Sequence, residues 1–220
     1  MKKYLRTAVI VAMILSIVLI GGCGGKKAEA KSVTAKGSAA AEKYKKGTLT
    51  TKTFKSKTLN MQFKLPDNYI MAGEDELKSM MEAACKITYK DANDQVIDYL
   101  KTNVIYEMMA CNTSGNPNLI IIAEKLPLSK MTAKQYVKTV GKQLENQNSG
   151  YKCNYKMKNA KICKHNYVKL TLNKTLMGQK LTQDYYCTKI GDRAVSIVLT
   201  YTDKQASEAK KLLAGLKKIK

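Results

Sequence analysis

The residues that could do chemistry are few. Six cysteines and one histidine stand in 220 residues, with no tryptophan. Setting Cys23 aside leaves Cys85, Cys111, Cys153, Cys163 and Cys187, an odd number, so at least one thiol stays free or pairs between molecules. None has C-x-x-C spacing and His165 is the only histidine, so the usual vocabulary of a zinc site is missing. The expected role is that of small buried hydrophobes, with one disulfide, such as Cys153–Cys163 across a hairpin, as the alternative. Unpaired thiols in an exported chain would suit an anaerobic organism. His165, in "CKHNY" at an expected turn, is the one candidate general base. Glu107 and Glu124 fall on neighbouring expected strands, where paired carboxylates could do acid–base work, although a pair answered by lysines is the plainer reading. Ser114-Gly115 lacks the G-x-S-x-G setting of a hydrolase elbow, and "GDR" reads as a hairpin turn, not a phosphate loop. Tyr185 and Tyr186 point to opposite faces of a strand, so at most one can join a stacking platform. No catalytic residue, cofactor site or metal site is assigned.

Cys23 is different. Lys2, Lys3 and Arg6 precede the apolar run "AVIVAMILSIVLI" of residues 8–20, and "IGGC" ends it. A basic leader, an apolar core and small residues at a cut site are the anatomy of a secretory signal, and the run is short of the ~20 residues of a full span. Ile20-Gly21-Gly22-Cys23 resembles the bacterial lipobox, in which a diacylglyceryl group is added to the thiol before the preceding peptide bond is cut. Two acyl chains hold a protein stably where one binds reversibly. The expectation is a signal peptide over 1–22 and lipidation at Cys23, with the chain exported and anchored to the outer face of the cytoplasmic membrane. An uncleaved anchor helix is the alternative.

The net charge is +22. Residues 23–58 hold ten lysines and two glutamates, and the excess continues through the rest of the chain. For an exported, anchored protein, nucleic acid is not the expected polyanion. Anionic lipid headgroups and the teichoic acids of a Gram-positive envelope are, at about 1 kcal/mol per lysine near the surface and less with salt. A merely solvated surface fits equally well.

These residues need elements to position them. Residues 24 to about 56 are rich in Gly, Ala, Ser, Thr and Lys, cannot bury enough surface to offset ordering, and read as a tether with a reach of roughly 30 Å. From Lys57 the texture changes. Leu59, Met61, Phe63 and Leu65 alternate along a strand that Pro66-Asp67 ends. Leu77, Met80, Met81 and Ala84 form a helical stripe behind three acids, and a weaker helix follows around 93–101. "NVIYEMMAC" and "LIIIAEKL" flank a turn-rich loop. "MTAKQYVKTVGKQLENQ" carries an apolar stripe from Ala133 to Leu144 behind a Thr132–Gln135 capping box. "YKCNYKM", "YVKLTLNKTL", "KLTQDYYCTKI" and "RAVSIVLTY" are joined by loops short enough for antiparallel hairpins, and Asp203 is expected to cap a last helix containing Leu212 and Leu216. The order predicts an α+β domain over 57–220, one antiparallel sheet packed by helices.

"MQFKLPDNYIMAGEDEL", "IYEMMA…GNPNLIIIAEKLP", "TAKQYVKTVGKQLE" and "QDYYCTKIGDRAVSIVLTY" are similar to the matching stretches of small lipoproteins common in clostridia. Those belong to the PsbP-like fold group, with DcrB-like lipoproteins nearby. The resemblance covers roughly residues 57–218 and rests on hydrophobics and turns. It implies an antiparallel sheet with helices on its faces and transfers no active-site residue. Taken with the signal, it points to a non-enzymatic surface lipoprotein that binds an envelope protein or complex. A small-ligand carrier serving a membrane transporter is the second expectation, and an envelope enzyme or thiol-redox protein the third.

Overall fold

The computed structural model describes residues 44–79, 82, 102–146, 151–176 and 178–219. Cys23, Cys85, the signal segment and the helix expected around 93–101 lie outside them. Strand periodicity accounts for most of what is described. Among the described residues, eleven strands form two antiparallel sheets, where one sheet was expected. The small sheet contains β1 (Thr48–Leu49), β2 (Thr53–Ser56), β3 (Met61–Lys64) and β11 (Lys217–Lys218) in that order. The large one contains β4 (Tyr69–Ala72), β5 (Val104–Asn112), β6 (Asn118–Lys125), β7 (Tyr151–Ile162), β8 (His165–Leu176), β9 (Gln179–Ile190) and β10 (Arg193–Thr202). Its spatial order is β4-β5-β6-β10-β9-β8-β7.

The second sheet follows from the strand at Leu59–Leu65. Its alternating side chains Leu59, Met61, Phe63 and Leu65 are all buried. β3 carries them by pairing with β2 and β11, and packs its apolar face onto the large sheet. The described core therefore includes residues ahead of Lys57. Residues 44–56, expected in the tether, supply Tyr44 and Phe54 to the core.

Among the described residues, α1 (Ala133–Asn146) and α2 (Ala206–Ala214) pack on the sheets, and residues 74–79 are helical with Leu77 buried. The expected Thr132–Gln135 box starts α1. The Thr132 N–H donates to Gln135 Oε1 at 2.9 Å, and the Gln135 N–H donates to Thr132 Oγ1 at 3.2 Å. Before α2 the chain makes a single 3₁₀ turn, Asp203–Gln205, and the residue at its N-cap is Thr202, not Asp203. Thr202 donates through both its N–H and its hydroxyl to Gln205 Oε1.

β10 explains why the sheet interior reads as continuous apolar sequence. Val195, Ile197 and Leu199 face the small sheet and α2, while Ala194 and Val198 face α1 with Tyr136, Val137, Val140 and Leu144. A strand covered on both sides has no polar face to show.

Close approach at Gly47 ties the small sheet to β5. A Cβ there would lie 2.7 Å from Phe54 Cε2 and 2.9 Å from both Glu107 Oε2 and the Lys55 carbonyl. Gly47→Ala is expected to cost about 2 kcal/mol through forced displacement of backbone and a buried carboxylate. Gly73→Ala meets nothing within 4 Å and should leave the urea midpoint in place. Equal midpoints for the two variants would contradict this packing.

Candidate functional site

The residues singled out in the sequence do not assemble a reactive centre among the described residues. Cys111, Cys153, Cys163 and Cys187 are all free. Cys153 and Cys163 do not face each other across a hairpin, because β7 runs unbroken from Tyr151 to Ile162 and the turn comes after it. Ten residues of one extended strand separate the two thiols by roughly 30 Å, and they pack into opposite cores. Burial pushes the Cys111, Cys153 and Cys187 thiols up to about 12, so they are poor sources of thiolate.

His165 opens β8, half-buried, and its ring is hydrogen-bonded to the Thr58 backbone. Burial holds its pKa below the ordinary value, opposed by that bond, and no carboxylate acts on it. The Thr58 backbone orients the ring, but no carboxylate stands by to stabilise an imidazolium.

Glu107 and Glu124 do not pair. Glu107 is the extra residue of a bulge between Tyr106 and Met108, which turns its carboxylate toward the small sheet. There Tyr44 donates to Oε1 at 2.7 Å and the Gly47 N–H to Oε2 at 2.9 Å. Burial raises the Glu107 pKa against those two bonds. Glu124 points to the other face, where the Tyr136 hydroxyl of α1 donates to Oε2 at 2.5 Å. Its Oε1 is buried without a hydrogen-bond partner, and burial pushes its pKa up to about 7. Tyr185 and Tyr186 do face opposite cores, as their spacing required.

What the structure does assemble is a polar sheet face. Asp184, in the middle of β9 and nearly inaccessible, accepts from Thr171 on β8 at 2.7 Å and from Tyr201 on β10 at 2.9 Å. Lys169 Nζ lies 2.8 Å from Asp184 Oδ2 and 5.3 Å from the centre of the Tyr186 ring. Burial works against the Lys169 charge, but Asp184 beside it raises the ammonium pKa overall. One step along the ladder, Thr182 donates to Asn173 at 3.1 Å. The register sets Lys152, Asn154 and Lys158 of β7 opposite Asn173, Thr171 and Lys169, and all three β7 residues are exposed.

The face lies on the small-sheet side, beyond where that sheet and α2 cover β5, β6 and β10. At its Gly178 end it opens into a hollow of about 650 Å³, whose lining includes Ser114, Lys180, Asp203 and Gln205. With three donors on one carboxylate, its centre is a saturated network. It has no unoccupied base or nucleophile. The outer rim is cationic and wet, which suits reversible association with an acidic or polar surface.

β7 is also the edge of the large sheet. Lys152, Lys156, Lys158 and Lys161 lie along it, and its register breaks between Asn154 and Lys158. Tyr155, at that bulge, donates to Glu145 of α1, which also accepts from the Cys153 N–H at 2.9 Å. Lysines and a bulge are how an exposed edge is kept from pairing with other strands.

Among the described residues, no group of three or more His, Cys, Asp or Glu is placed to hold a metal ion, and no helix is long and apolar enough to cross a membrane.

No family model matches the chain, and no curated protein matches it. Several solved structures are similar. The cyanobacterial PsbP of Synechocystis sp. PCC 6803 is 14% identical, with 89% of this chain and 94% of that one covered, at a TM-score of 0.41. LpqN, involved in cell envelope biogenesis of Mycobacterium tuberculosis, is 9% identical over 70% and 79%, at 0.38. A Bacteroides thetaiotaomicron protein is 13% identical over 78% of this chain, at 0.41, and the chain spans about half its length. At these scores none of the likenesses carries an argument about function.

Proposed function

We propose that the chain is a membrane-anchored surface lipoprotein whose non-catalytic domain binds an envelope protein partner through the β7–β9 face. The observation that carries this reading is the construction of that face. Its charged centre is locked by Asp184, while exposed lysines and amides form the rim. Such a surface supports docking and has no group in position for proton or acyl transfer. The signal anatomy of residues 1–22 and the lipobox cysteine supply the location. The small-ligand alternative would have to use an open surface hollow such as the one near Gly178, because among the described residues the layers on both faces of the large sheet are filled by side chains such as Met108, Tyr136 and Tyr185.

A photo-crosslinking residue at exposed Thr175, on the same face as Thr171 and Asn173, tests the reading in whole cells. The expected result is one discrete protein adduct, lost when Lys152 and Lys158 are both changed to Glu. An adduct undiminished by that charge reversal, or none at all, would contradict it.

A further inference from the structure

We infer that the opposite side of the domain, the α1 face with the loop before it, docks on an anionic lipid bilayer. This rests on the membrane-anchored reading above and goes beyond it, by fixing which side of the domain faces the membrane. Leu128, between β6 and α1, is 64% exposed, the most exposed large hydrophobic residue described. Its loop is held rather than trailing. Leu126 on one side is buried in the α1 core, Met131 on the other packs against that core, and Lys189 donates to the Ser129 carbonyl. Leu128 is thus presented to solvent by a fixed support.

The surroundings of Leu128 are cationic. A shallow hollow of about 450 Å³ is lined by Leu128, Met131, Lys130, Lys138 and Lys142, with Gln135 and Thr139. Lys134, Lys138 and Lys142 recur every four residues along α1, all exposed. The helix's one acid, Glu145, is engaged at its far end by Tyr155 and the Cys153 N–H. No described ion pair joins Lys130, Lys134, Lys138 or Lys142 to a carboxylate.

An apolar side chain ringed by lysines on one helix face is the pattern of an interfacial contact. The ammonium groups meet the headgroup phosphates while the apolar tip enters the acyl boundary. An acidic protein surface would match the lysines but not the protruding leucine. Chain length permits the contact, since 20 residues between Cys23 and Tyr44 can span at most about 70 Å. A lipid anchor so close keeps the effective concentration at the bilayer high, so that a weak contact suffices to orient the domain. With α1 against the membrane, the β7–β9 face on the other side of the sheet looks outward, toward a partner.

The test uses the full lipidated chain, reconstituted in vesicles of phosphatidylcholine alone or with 30% phosphatidylglycerol. Benzoylphenylalanine replaces Leu128 in one preparation and Thr175 in another. Lipid adducts from position 128 should rise about tenfold or more with phosphatidylglycerol, and should fall to the phosphatidylcholine level in the K134E/K138E/K142E background. Position 175 should give none with either lipid. Equal adducts from the two positions, or adducts from 128 that ignore phosphatidylglycerol, would overturn the inference. So would a protein adduct in place of lipid when position 128 is crosslinked in native membranes. Failure to float with pure phosphatidylcholine would instead count against the lipid anchor, and phosphatidylglycerol-dependent adducts at 128 would still support this face.

Discussion

Asp184→Ala is expected to lower the unfolding free energy by about 3 kcal/mol, among the largest effects of any polar substitution in the chain. The carboxylate is 5% exposed and holds Lys169, Thr171 and Tyr201 together across three strands. Removing it leaves two hydroxyls without their acceptor and the Lys169 side chain, 26% exposed, with its charge unpaired above a buried strand. The loss falls below the upper range for fully buried pairs because Lys169 can still reach water along its own stem. Lys169→Met is expected to cost about 1 kcal/mol, since Asp184 keeps its two hydroxyl donors. The double variant should cost less than the two single changes added together, by a coupling of about 1 kcal/mol. Urea unfolding of the four proteins checks this, and strict additivity would show that the pair contributes nothing as a pair. The binding consequence is equally specific. Because this network is structural, a loss of partner binding in Asp184→Ala would report unfolding of the face, whereas Lys152 and Lys158 can be changed without disturbing it.

The second large effect is a dependence on pH from Glu124. Its carboxyl is buried under α1 with one hydroxyl donor, and its pKa rises to about 7 from an ordinary 4.5. Below pH 4.5 it is protonated in both folded and unfolded chains and costs nothing. As the pH climbs toward 7 the unfolded chain ionises first, so stability falls by about 3 kcal/mol across that interval and then levels off. Glu124→Gln should remove this slope. The amide oxygen can accept from Tyr136, and no charge is left to bury. Thermal melts at pH 5 and pH 8 are the measurement. The variant should match wild type at pH 5 and exceed it at pH 8, by about 2 kcal/mol after the burial of an amide donor is counted. The same difference at both values would mean that Glu124 is not the titrating group.

The elements that were legible in the sequence are those whose signals are local. α1 announced itself through the Thr132–Gln135 box and the apolar stripe ending at Leu144, and both are realised. β5, β6 and the four-stranded meander were visible as apolar runs between turns.

The parts that were hidden depend on partners distant in the chain. "TLTTKTFKS" offers two large apolar side chains, Leu49 and Phe54, and its β2 is a strand only because β3 pairs with it and the core receives the Phe54 ring. Reading it as tether was a consequence of counting local hydrophobicity. The end of β7 was misplaced because its turn contains no glycine, asparagine or proline. Cys163 itself adopts the left-handed conformation, with φ 54°, a position where a non-glycine residue is disfavoured. From sequence the strand "YKCNYKM" ends at Met157 and His165 stands in a turn, which sets Cys153 and Cys163 across a hairpin that does not exist. The polar face was illegible for a similar reason. Lys169, Thr171, Asp184 and Tyr201 are unremarkable in sequence, and only the registers of β8, β9 and β10 bring them to one carboxylate.

The anchor at Cys23 is the central claim, since it would hold the domain beside both the proposed envelope partner and the bilayer. Intact-mass analysis of the membrane fraction, comparing wild type with Cys23→Ala, tests it most directly. The predicted result is a mature chain beginning at Cys23 with the mass of a diacylglyceryl-linked lipid, and an unprocessed precursor without lipid in the variant. A mature wild-type chain carrying no lipid would contradict the anchored reading, and the two faces would then stand on their own crosslinking tests.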